Sequence, residues 1–252
     1  MYKQVVGNSK KILMIDLVLD TNIWINHIAM DNPTGIFNEL KCQIESEQVF
    51  ILANEIIIDE WNRNKATTTK TIIKRIKNQS KNALEIKEFL DIDDKTSLEK
   101  ILSKYAQKEN EREELAIKRI EDVEHMILNG TQTKITNEMK LKVVDWALKK
   151  RAPFKVKNNS VGDALILLSS AEHRKTTNSP KGFFVSFNHT DYADPIDKDI
   201  IDEDLQDLLE DSNMEYKRNI GEVLHLTPEL NMEIERYIDM LMERAKDERR
   251  GI

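Results

Sequence analysis

Acidic side chains end or interrupt apolar segments at four separated places in this chain. Asp20 directly follows ILMIDLVL, Glu60 lies in EIIIDEW, Asp163 lies in SVGDALILL, and Asp191 lies in FVSFNHTDY. Carboxylates that are gathered in one place repel each other and raise each other's pKa unless a cation lies between them. If the fold brings these four acids together, the sequence therefore predicts a cation site.

The ligand types indicate which cation such a site would hold. Carboxylate oxygens suit Mg²⁺ or Mn²⁺, which keep several of their own waters when bound. Such an ion polarises a phosphoryl oxygen and lowers the pKa of a bound water, which is the chemistry of phosphodiester hydrolysis. The single cysteine, Cys42, and the five scattered histidines form no zinc-ligand pattern.

Short apolar runs without strict alternation predict the strands that would position these acids. They are typical of a parallel sheet covered on both faces. The predicted strands are Ile12 to Leu19, Val49 to Ala53, Gly182 to Phe187 and Glu222 to Leu226. Sites in open sheets of this kind form beyond the carboxyl ends of the strands, where three of the four acids follow.

Helical patterns fill the segments between these runs. They cover 36–44, 56–90 with a weak point at Thr67 to Thr69, 98–128, 135–150, 161–173, 200–209 and 228–249. Strands that alternate with helices predict an α/β fold with a doubly wound parallel sheet. Residues 63–157 contain no convincing strand, so we predict one domain over 1–252 with a helical insertion between the second and third strands.

The whole-chain composition limits location and partners. A net charge of −7 does not favour nonspecific nucleic-acid binding, so a nucleic-acid partner requires a local basic patch. One cysteine excludes an intramolecular disulfide and fits a reducing compartment. We find no signal peptide pattern and no apolar run long enough to span a bilayer, and therefore expect a cytoplasmic protein without a membrane partner.

Two basic runs flank the proposed acids. KKRAPFKVK precedes Asp163, and the second run extends from Arg63, just after Glu60, to Lys77. Both favour contacts with nucleic-acid phosphates, with Phe154 as a base-stacking residue; the alternative is a solvated loop. The basic residues of the first run are Lys149, Lys150, Arg151, Lys155 and Lys157.

Each acid also has a purely structural interpretation. Asp20 is a candidate N-cap, Asp163 suits the first turn of a helix, and Asp191 is a candidate turn residue. Glu60 competes with Glu55 and Asp59 as the ligand after the second strand, although Asp59 should face about 100° away from Glu60 on a helix.

In their order, the motifs LVLDTNIW, EIIIDEW, GDALILLSSA and FVSFNHTDY resemble the successive motifs of PIN-domain nucleases. The resemblance covers Ile12 to Pro195 without the helical insertion. It implies that Asp20, Glu60 and Asp163 are the core acids of a metal site.

The resemblance also assigns supporting residues. Asn188 falls where many members have a fourth acid, with Asp191 three residues later, so either residue or water would complete the metal shell. Asn22 and Ser186 match positions where small polar side chains orient the acids or the nucleophilic water.

PIN proteins are typically metal-dependent nucleases and most often ribonucleases. The resemblance therefore implies an endoribonuclease that uses Mg²⁺ or Mn²⁺ and leaves 5′-phosphate and 3′-hydroxyl ends. Its partners would be RNA and a protein regulator such as an antitoxin. Toxin, phage-defence effector and RNA-processing enzyme are all compatible roles. A DNA or flap nuclease with the same acids is one alternative. A PIN-like scaffold that binds without cleaving is another, because of Asn188.

Overall fold

A computed structural model of the chain describes residues 15–30, 35–156, 160–177 and 181–225, apart from the side chain of Ser80. The first three residues of the predicted first strand, the predicted helix 228–249 and Lys157 lie outside these ranges. Within them, no helix combines the length and the apolar character that crossing a membrane requires.

Five parallel strands form a single sheet in the described chain, in the order β3-β2-β1-β4-β5. All five residues of the central strand β1 are buried, as expected for a strand with helices on both faces. The strands are β1 Ile15–Leu19, β2 Val49–Ala53, β3 Thr131–Gln132, β4 Lys181–Val185 and β5 Met214–Lys217.

The chain winds outward in both directions from β1, which confirms the predicted doubly wound α/β fold. It passes through β2 to β3 on one side and later places β4 and β5 on the other. The direction of winding therefore changes between β1 and β4. In open α/β sheets, ligands bind outside the carboxyl ends of the strands at this point, where Asp20 and Ser186 immediately follow the two strands.

Helices connect and cover the strands. They are α1 Thr21–Ile23, α2 Gly35–Glu45, α3 Glu55–Leu84, α4 Ile92–Gln107, α5 Glu109–Asn129, α6 Asn137–Leu148, α7 Val161–Lys175, α8 His189–Tyr192 and α9 Glu203–Asp211. A π-helical turn, Trp24–Ala29, continues α1, and a 3₁₀ segment, Glu85–Phe89, follows α3.

The prediction of a strand from Glu222 to Leu226 is wrong. Residues 220–225 are helical, and Leu226 lies outside the described ranges. Among the described residues the last strand is β5, which pairs there only with β4 and so lies at the edge of the described sheet. Met214 and Tyr216 are buried there, whereas Glu215 is exposed. Because buried and exposed residues alternate in β5, its sequence lacks the continuous apolar run that predicts a buried strand.

Two helix boundaries also differ from the prediction. Helix α3 continues through Thr67 to Thr69, because packing of this turn against the rest of the protein, with Thr68 4% exposed, outweighs the weak helix propensity of threonine. The hydroxyl of Thr69 donates to the carbonyl of Lys65 at 2.8 Å. The predicted helix 98–128 is divided between α4 and α5, which meet at Lys108.

The segment predicted as a helical insertion contains one short strand. The two residues of β3 pair with the end of β2, so the predicted third strand is the fourth strand of the sheet. The rest of the described segment is mainly helical, as predicted, with non-helical stretches at 133–136 and 149–156.

A buried ion pair links β1 to α7. The guanidinium of Arg174 bonds to the carboxylate of Asp16, and it also donates to the carbonyls of Ser212 at 3.0 Å and Asn213 at 3.2 Å. Arg174 is 3% exposed and passes directly over Gly182 of β4. A Cβ at Gly182 would overlap this guanidinium, so the close approach requires glycine.

We therefore expect Gly182→Ala to lower the free energy of unfolding by about 1–3 kcal/mol, the usual range for overpacking a fixed interior. Chemical denaturation of the two proteins measures the difference. Gly35→Ala is the matched control, because nothing lies within 4 Å of a Cβ at Gly35. If Gly182→Ala and Gly35→Ala are equally stable, Arg174 is not fixed as described.

Candidate active site

Asp20 lies at the end of the central strand and is 1% exposed. Its backbone N–H donates to the carbonyl of Val185 at 3.0 Å, so it continues the pairing of β1 with β4. Its own carbonyl accepts the N–H of Ile23 at 2.8 Å and starts α1. Asp20 occupies the N-cap position but its side chain makes no capping hydrogen bond, so the carboxylate remains directed to other partners.

Ser186 fixes the carboxylate of Asp20. Its hydroxyl donates to Asp20 Oδ2 at 2.7 Å and accepts the backbone N–H of Asn188 at 3.0 Å. Its backbone N–H donates to the carbonyl of Lys217 at 3.2 Å, and the residue is fully buried. The ends of β1 and β4 therefore hold Asp20 in one orientation.

Burial raises the pKa of Asp20 above its ordinary value. The hydrogen bond from Ser186 opposes this shift, the negative charge of Glu60 adds to it, and the backbone N–H groups of Asn22 and Thr21 oppose it. The net result is a raised pKa, so the ionised form of Asp20 is disfavoured by its surroundings. A cation beside the carboxylate would reverse that balance.

Helix α3 presents Glu60 to the same region. Asn54 caps the helix by accepting the N–H groups of Ile56 and Ile57, both at 3.1 Å. The side chain of Glu60 is 30% exposed. The neighbouring Asp59 is exposed, consistent with the different direction expected for adjacent residues of a helix.

The first turn of α7 packs against the face of α3 that carries Glu60. A Cβ on Gly162 would lie 3.4 Å from Glu60 Oε1 and 3.4 Å from Ile56 Cγ2. Asp163 is the next residue along α7 and is half-buried. A buried hydrogen bond from Asn54 Nδ2 to Ser169 Oγ, at 2.9 Å, also joins the two helices.

Asp191, in the short helix α8, is 2% exposed and has several donors. Asn188 Nδ2 donates to Asp191 Oδ2 at 2.6 Å, Ser160 Oγ donates to the same oxygen at 3.4 Å, and Thr190 Oγ1 donates to Oδ1 at 3.3 Å. Asn188 therefore orients the carboxylate of Asp191. Ser160, just before α7, connects this carboxylate to the helix that carries Asp163.

Tyr192 shows that the charges of the four acids converge. Burial raises the pKa of its hydroxyl well above the ordinary value, and the negative charges of four carboxylates raise it further. This hydroxyl is buried and has no hydrogen-bond partner in the described chain. The contributing acids, in decreasing order of effect, are Asp163, Asp20, Asp191 and Glu60.

The arrangement is not a closed metal shell as it stands. Over residues 15–30, 35–156, 160–177 and 181–225, no group of three or more His, Cys, Asp or Glu side chains is placed to hold a metal ion together. The side chain of Asn22 is exposed and makes no hydrogen bond within the described part of the chain. The donors present are carboxylate, amide and hydroxyl oxygens, the types that Mg²⁺ and Mn²⁺ favour.

Three residues of the first basic run form ion pairs within the protein. Lys149 Nζ lies 2.8 Å from Asp145, and Arg151 Nε lies 3.7 Å from Asp204. Lys155 Nζ lies 2.7 Å from Asp202 and 3.2 Å from Asp204. The interpretation of Phe154 as a base-stacking residue is wrong, because its ring is 4% exposed and belongs to the core.

Two other predicted phosphate contacts lie open to solvent. Lys150 is exposed, and its side chain has no partner among the residues described. The side chain of Arg63 is 71% exposed, with Nη2 3.9 Å from Glu60 Oε1. Lys157 lies outside the described residues.

Three residues of the site were not predicted as such: Tyr192, Ser160 and Asn54. A tyrosine directly after an acid gives no distinct signal. Ser160 and Asn54 each precede a predicted helix, and serine and asparagine are common in such positions, so their links to the acid cluster required the tertiary structure.

One of the comparisons with known proteins identifies a family for this chain. The model of one family, described as PIN domain, matches residues 17–192 of the chain. No curated protein and no solved structure matches the chain. The matched range includes Asp20, Glu60, Asp163 and Asp191.

The raised pKa of Asp20 predicts a pH-dependent effect of Asp20→Asn on stability. A carboxyl group whose pKa is higher in the folded protein stabilises it below the unfolded pKa, and this contribution is lost as pH rises through the folded pKa. In EDTA at neutral pH, we therefore expect Asp20→Asn to be more stable than the natural protein. This difference should disappear at pH values below the ordinary range for aspartate.

Denaturant unfolding at several pH values, in EDTA, measures this difference. Asp59→Asn is the matched control, because Asp59 is exposed on α3; its effect should stay within about 0.5 kcal/mol. A destabilised Asp20→Asn at neutral pH would contradict the proposed electrostatic cost.

Proposed function

Because the chain belongs to the PIN domain family, we propose that it is a metal-dependent endoribonuclease that hydrolyses phosphodiester bonds with an activated water. PIN domains have a nuclease-type fold, and most of them are nucleases. The RNA substrate and the divalent cation are parts of the proposal. The proposal also includes a single domain over 1–252 with an insertion at 63–157, a cytoplasmic location and a protein regulator.

One observation carries this proposal. The carboxylates of Asp20, Glu60, Asp163 and Asp191 come from four separate segments, yet all of them raise the pKa of the Tyr192 hydroxyl. Burial and the negative charge of Glu60 both disfavour the ionised form of Asp20 at the carboxyl edge of the sheet. Such an arrangement is a candidate for function, because it costs stability unless a cation or substrate compensates it.

The residues present suit Mg²⁺ or Mn²⁺. Asp20 would be the fixed ligand, and Asp163, Glu60 and Asp191 the other candidate ligands. In phosphate-processing sites, Mg²⁺ commonly binds through one or two carboxylates together with waters and substrate phosphates. A bound ion would polarise a phosphoryl oxygen and lower the pKa of a bound water.

The protein's own side chains divide into fixed and accessible groups. Ser186 holds Asp20, and Asn188 holds Asp191; both carboxylates are almost completely buried. Glu60 is partly open to solvent. It can therefore meet a substrate and accept a proton from an attacking water at its Oε atoms. Asp163, which is half-buried, lies on the neighbouring helix.

A cleavage assay tests the proposal. The purified protein should cleave single-stranded RNA with Mg²⁺ or Mn²⁺, and it should lose this activity in EDTA. Asp20→Asn and Glu60→Gln should each reduce the rate by about a hundredfold or more, since even residues behind metal ligands affect activity by up to that factor. Asp59→Asn, which changes an exposed acid beside Glu60, should retain the natural rate.

The same assay with single-stranded DNA and flap substrates tests the alternatives. Faster cleavage of DNA than of RNA would indicate that DNA is the substrate. RNA binding without cleavage at any metal concentration would indicate a scaffold. Full activity in EDTA, or in Asp20→Asn, would contradict the metal-dependent mechanism.

The ion pairs predict which lysine contacts the RNA backbone. Lys150 is exposed and has no partner in the described part of the chain, whereas Lys155 already pairs with Asp202 and Asp204. If Lys150 contacts a phosphate, Lys150→Gln should reduce the log–log salt slope of RNA affinity by roughly one unit.

Lys155→Gln should leave that slope unchanged, because a lysine already paired with two acids neutralises no RNA phosphate and so displaces no counterion from the RNA. The affinities are measured with Ca²⁺ in place of Mg²⁺ to prevent turnover, at three or more salt concentrations. Equal slopes for Lys150→Gln and the natural protein would exclude Lys150 from the contact surface.

A further inference from the structure

A cavity of about 190 Å³ lies between α3, α4 and α5, within the helical insertion. Three arginines contribute to its lining: Arg75 from α3, and Arg112 and Arg119 from α5. Gln79 and Tyr105 also line it, and the remaining wall is apolar. None of these residues belongs to the acid cluster, so the cavity is a separate feature with the opposite charge.

Arg112 is held rigidly at this cavity. Its guanidinium carbon lies 3.6 Å from the centroid of the Tyr105 ring. Nη1 donates to Gln79 Oε1 at 3.1 Å, and Nη2 donates to the carbonyl of Tyr105 at 3.2 Å. Its Nε is buried and has no hydrogen-bond partner within the described residues. A buried donor without a partner is costly, and a bound acceptor would remove that cost.

The positive charge of two of these arginines is not neutralised by the described chain. No carboxylate there lies within ion-pair distance of Arg112 or Arg75; Nη2 of Arg75 donates instead to the carbonyl of Met30 at 2.5 Å. Arg119 adds a third guanidinium, 5.2 Å from the centroid of the Phe37 ring.

Gln79 supplies a further polar group. Its Oε1 accepts both the Tyr105 hydroxyl, at 2.6 Å, and Arg112 Nη1. The amide nitrogen of Gln79 has no partner among the described residues, so it is free to donate to a ligand. Neutral and cationic donors thus line the same cavity.

This donor set favours a phosphate group over a carboxylate. Guanidinium groups bind both anions through paired hydrogen bonds, but a phosphate monoester presents three strong acceptor oxygens and nearly two negative charges at neutral pH. The cavity is smaller than the roughly 300 Å³ of the smallest typical ligand pockets. It therefore fits a phosphate with a small attached group, or one end of a larger ligand.

We propose that this cavity is a binding site for a phosphate monoester, formed by Arg75, Arg112 and Gln79 with added charge from Arg119. The source is either a free mononucleotide or the terminal phosphate of an oligonucleotide. Arg75 follows Glu60 by fifteen residues on α3, or about 22 Å along the helix axis. The bound phosphate is therefore distinct from a phosphate at the acid cluster, and the site does not depend on the proposed nuclease activity.

Calorimetric titration of the full-length protein in EDTA tests this site without metal chemistry. The ligands are inorganic phosphate, uridine 5′-monophosphate, uridine and glutarate. Phosphate and the nucleotide should bind, whereas uridine and the dicarboxylate should not. Arg75→Gln and Arg112→Gln should each weaken nucleotide binding about tenfold or more, the loss expected for a charged hydrogen bond.

Lys74→Gln is the matched control, because Lys74 is an exposed cation beside Arg75 that does not line the cavity. This variant should bind the nucleotide with the same affinity as the natural protein. Arg75 is exposed and its substitution should leave the fold intact, so Arg75→Gln remains informative even if Arg112→Gln unfolds. The site is excluded if phosphate does not bind, if glutarate binds equally well, or if Arg75→Gln binds the nucleotide normally.

The source of the phosphate is determined by comparing a 5′-phosphorylated oligoribonucleotide with its 5′-hydroxyl form. Tighter binding of the phosphorylated strand, lost in Arg75→Gln, would assign the site to strand ends. Equal binding of both strands, together with binding of the mononucleotide, would assign it to a free phosphate monoester.

Discussion

Burying the carboxylate of Asp20 at the end of the central strand is the constraint on which the site depends. The sheet gives this residue no freedom, because its backbone pairs with β4 and begins α1. Burial and the charge of Glu60 both raise the pKa of its carboxyl group, and the hydroxyl of Ser186 offsets only part of that shift. The fold thus holds an acid where ionisation is unfavourable. A cation bound beside the carboxylate would favour the ionised form and remove that cost.

The topology explains why four acids share this environment. The winding direction of the sheet changes between β1 and β4, so Asp20 and Ser186 emerge side by side at the carboxyl edge. Helices α3 and α7 pack closely at Gly162, which places Glu60 beside the first turn that carries Asp163. The charges of these acids and of Asp191 all raise the pKa of the buried Tyr192 hydroxyl. The insertion adds a cavity of opposite charge, so acidic and basic sites lie on separate parts of α3.

The sequence predicted those features that depend on local pattern. Continuous apolar runs identified β1, β2 and β4, and the order of the motifs indicated the family. Edge strand β5 was missed, because its burial alternates and its polar half resembles a loop. The partners of Lys155 were also missed, since Asp202 lies 47 residues away and the pairing depends on how α9 packs. The roles of Tyr192 and Ser160 required three-dimensional neighbours that no local spacing encodes.

We propose that Asp20 is the fixed ligand of a divalent cation. The most direct measurement is the anomalous scattering of Mn²⁺ in crystals grown with the ion. We expect a manganese peak within coordination distance of the Asp20 carboxylate, with at least one further ligand among Glu60, Asp163 and Asp191. In crystals of Asp20→Asn, this peak should be absent. A peak that lies elsewhere, or one that persists unchanged in Asp20→Asn, would show that Asp20 is not the ligand.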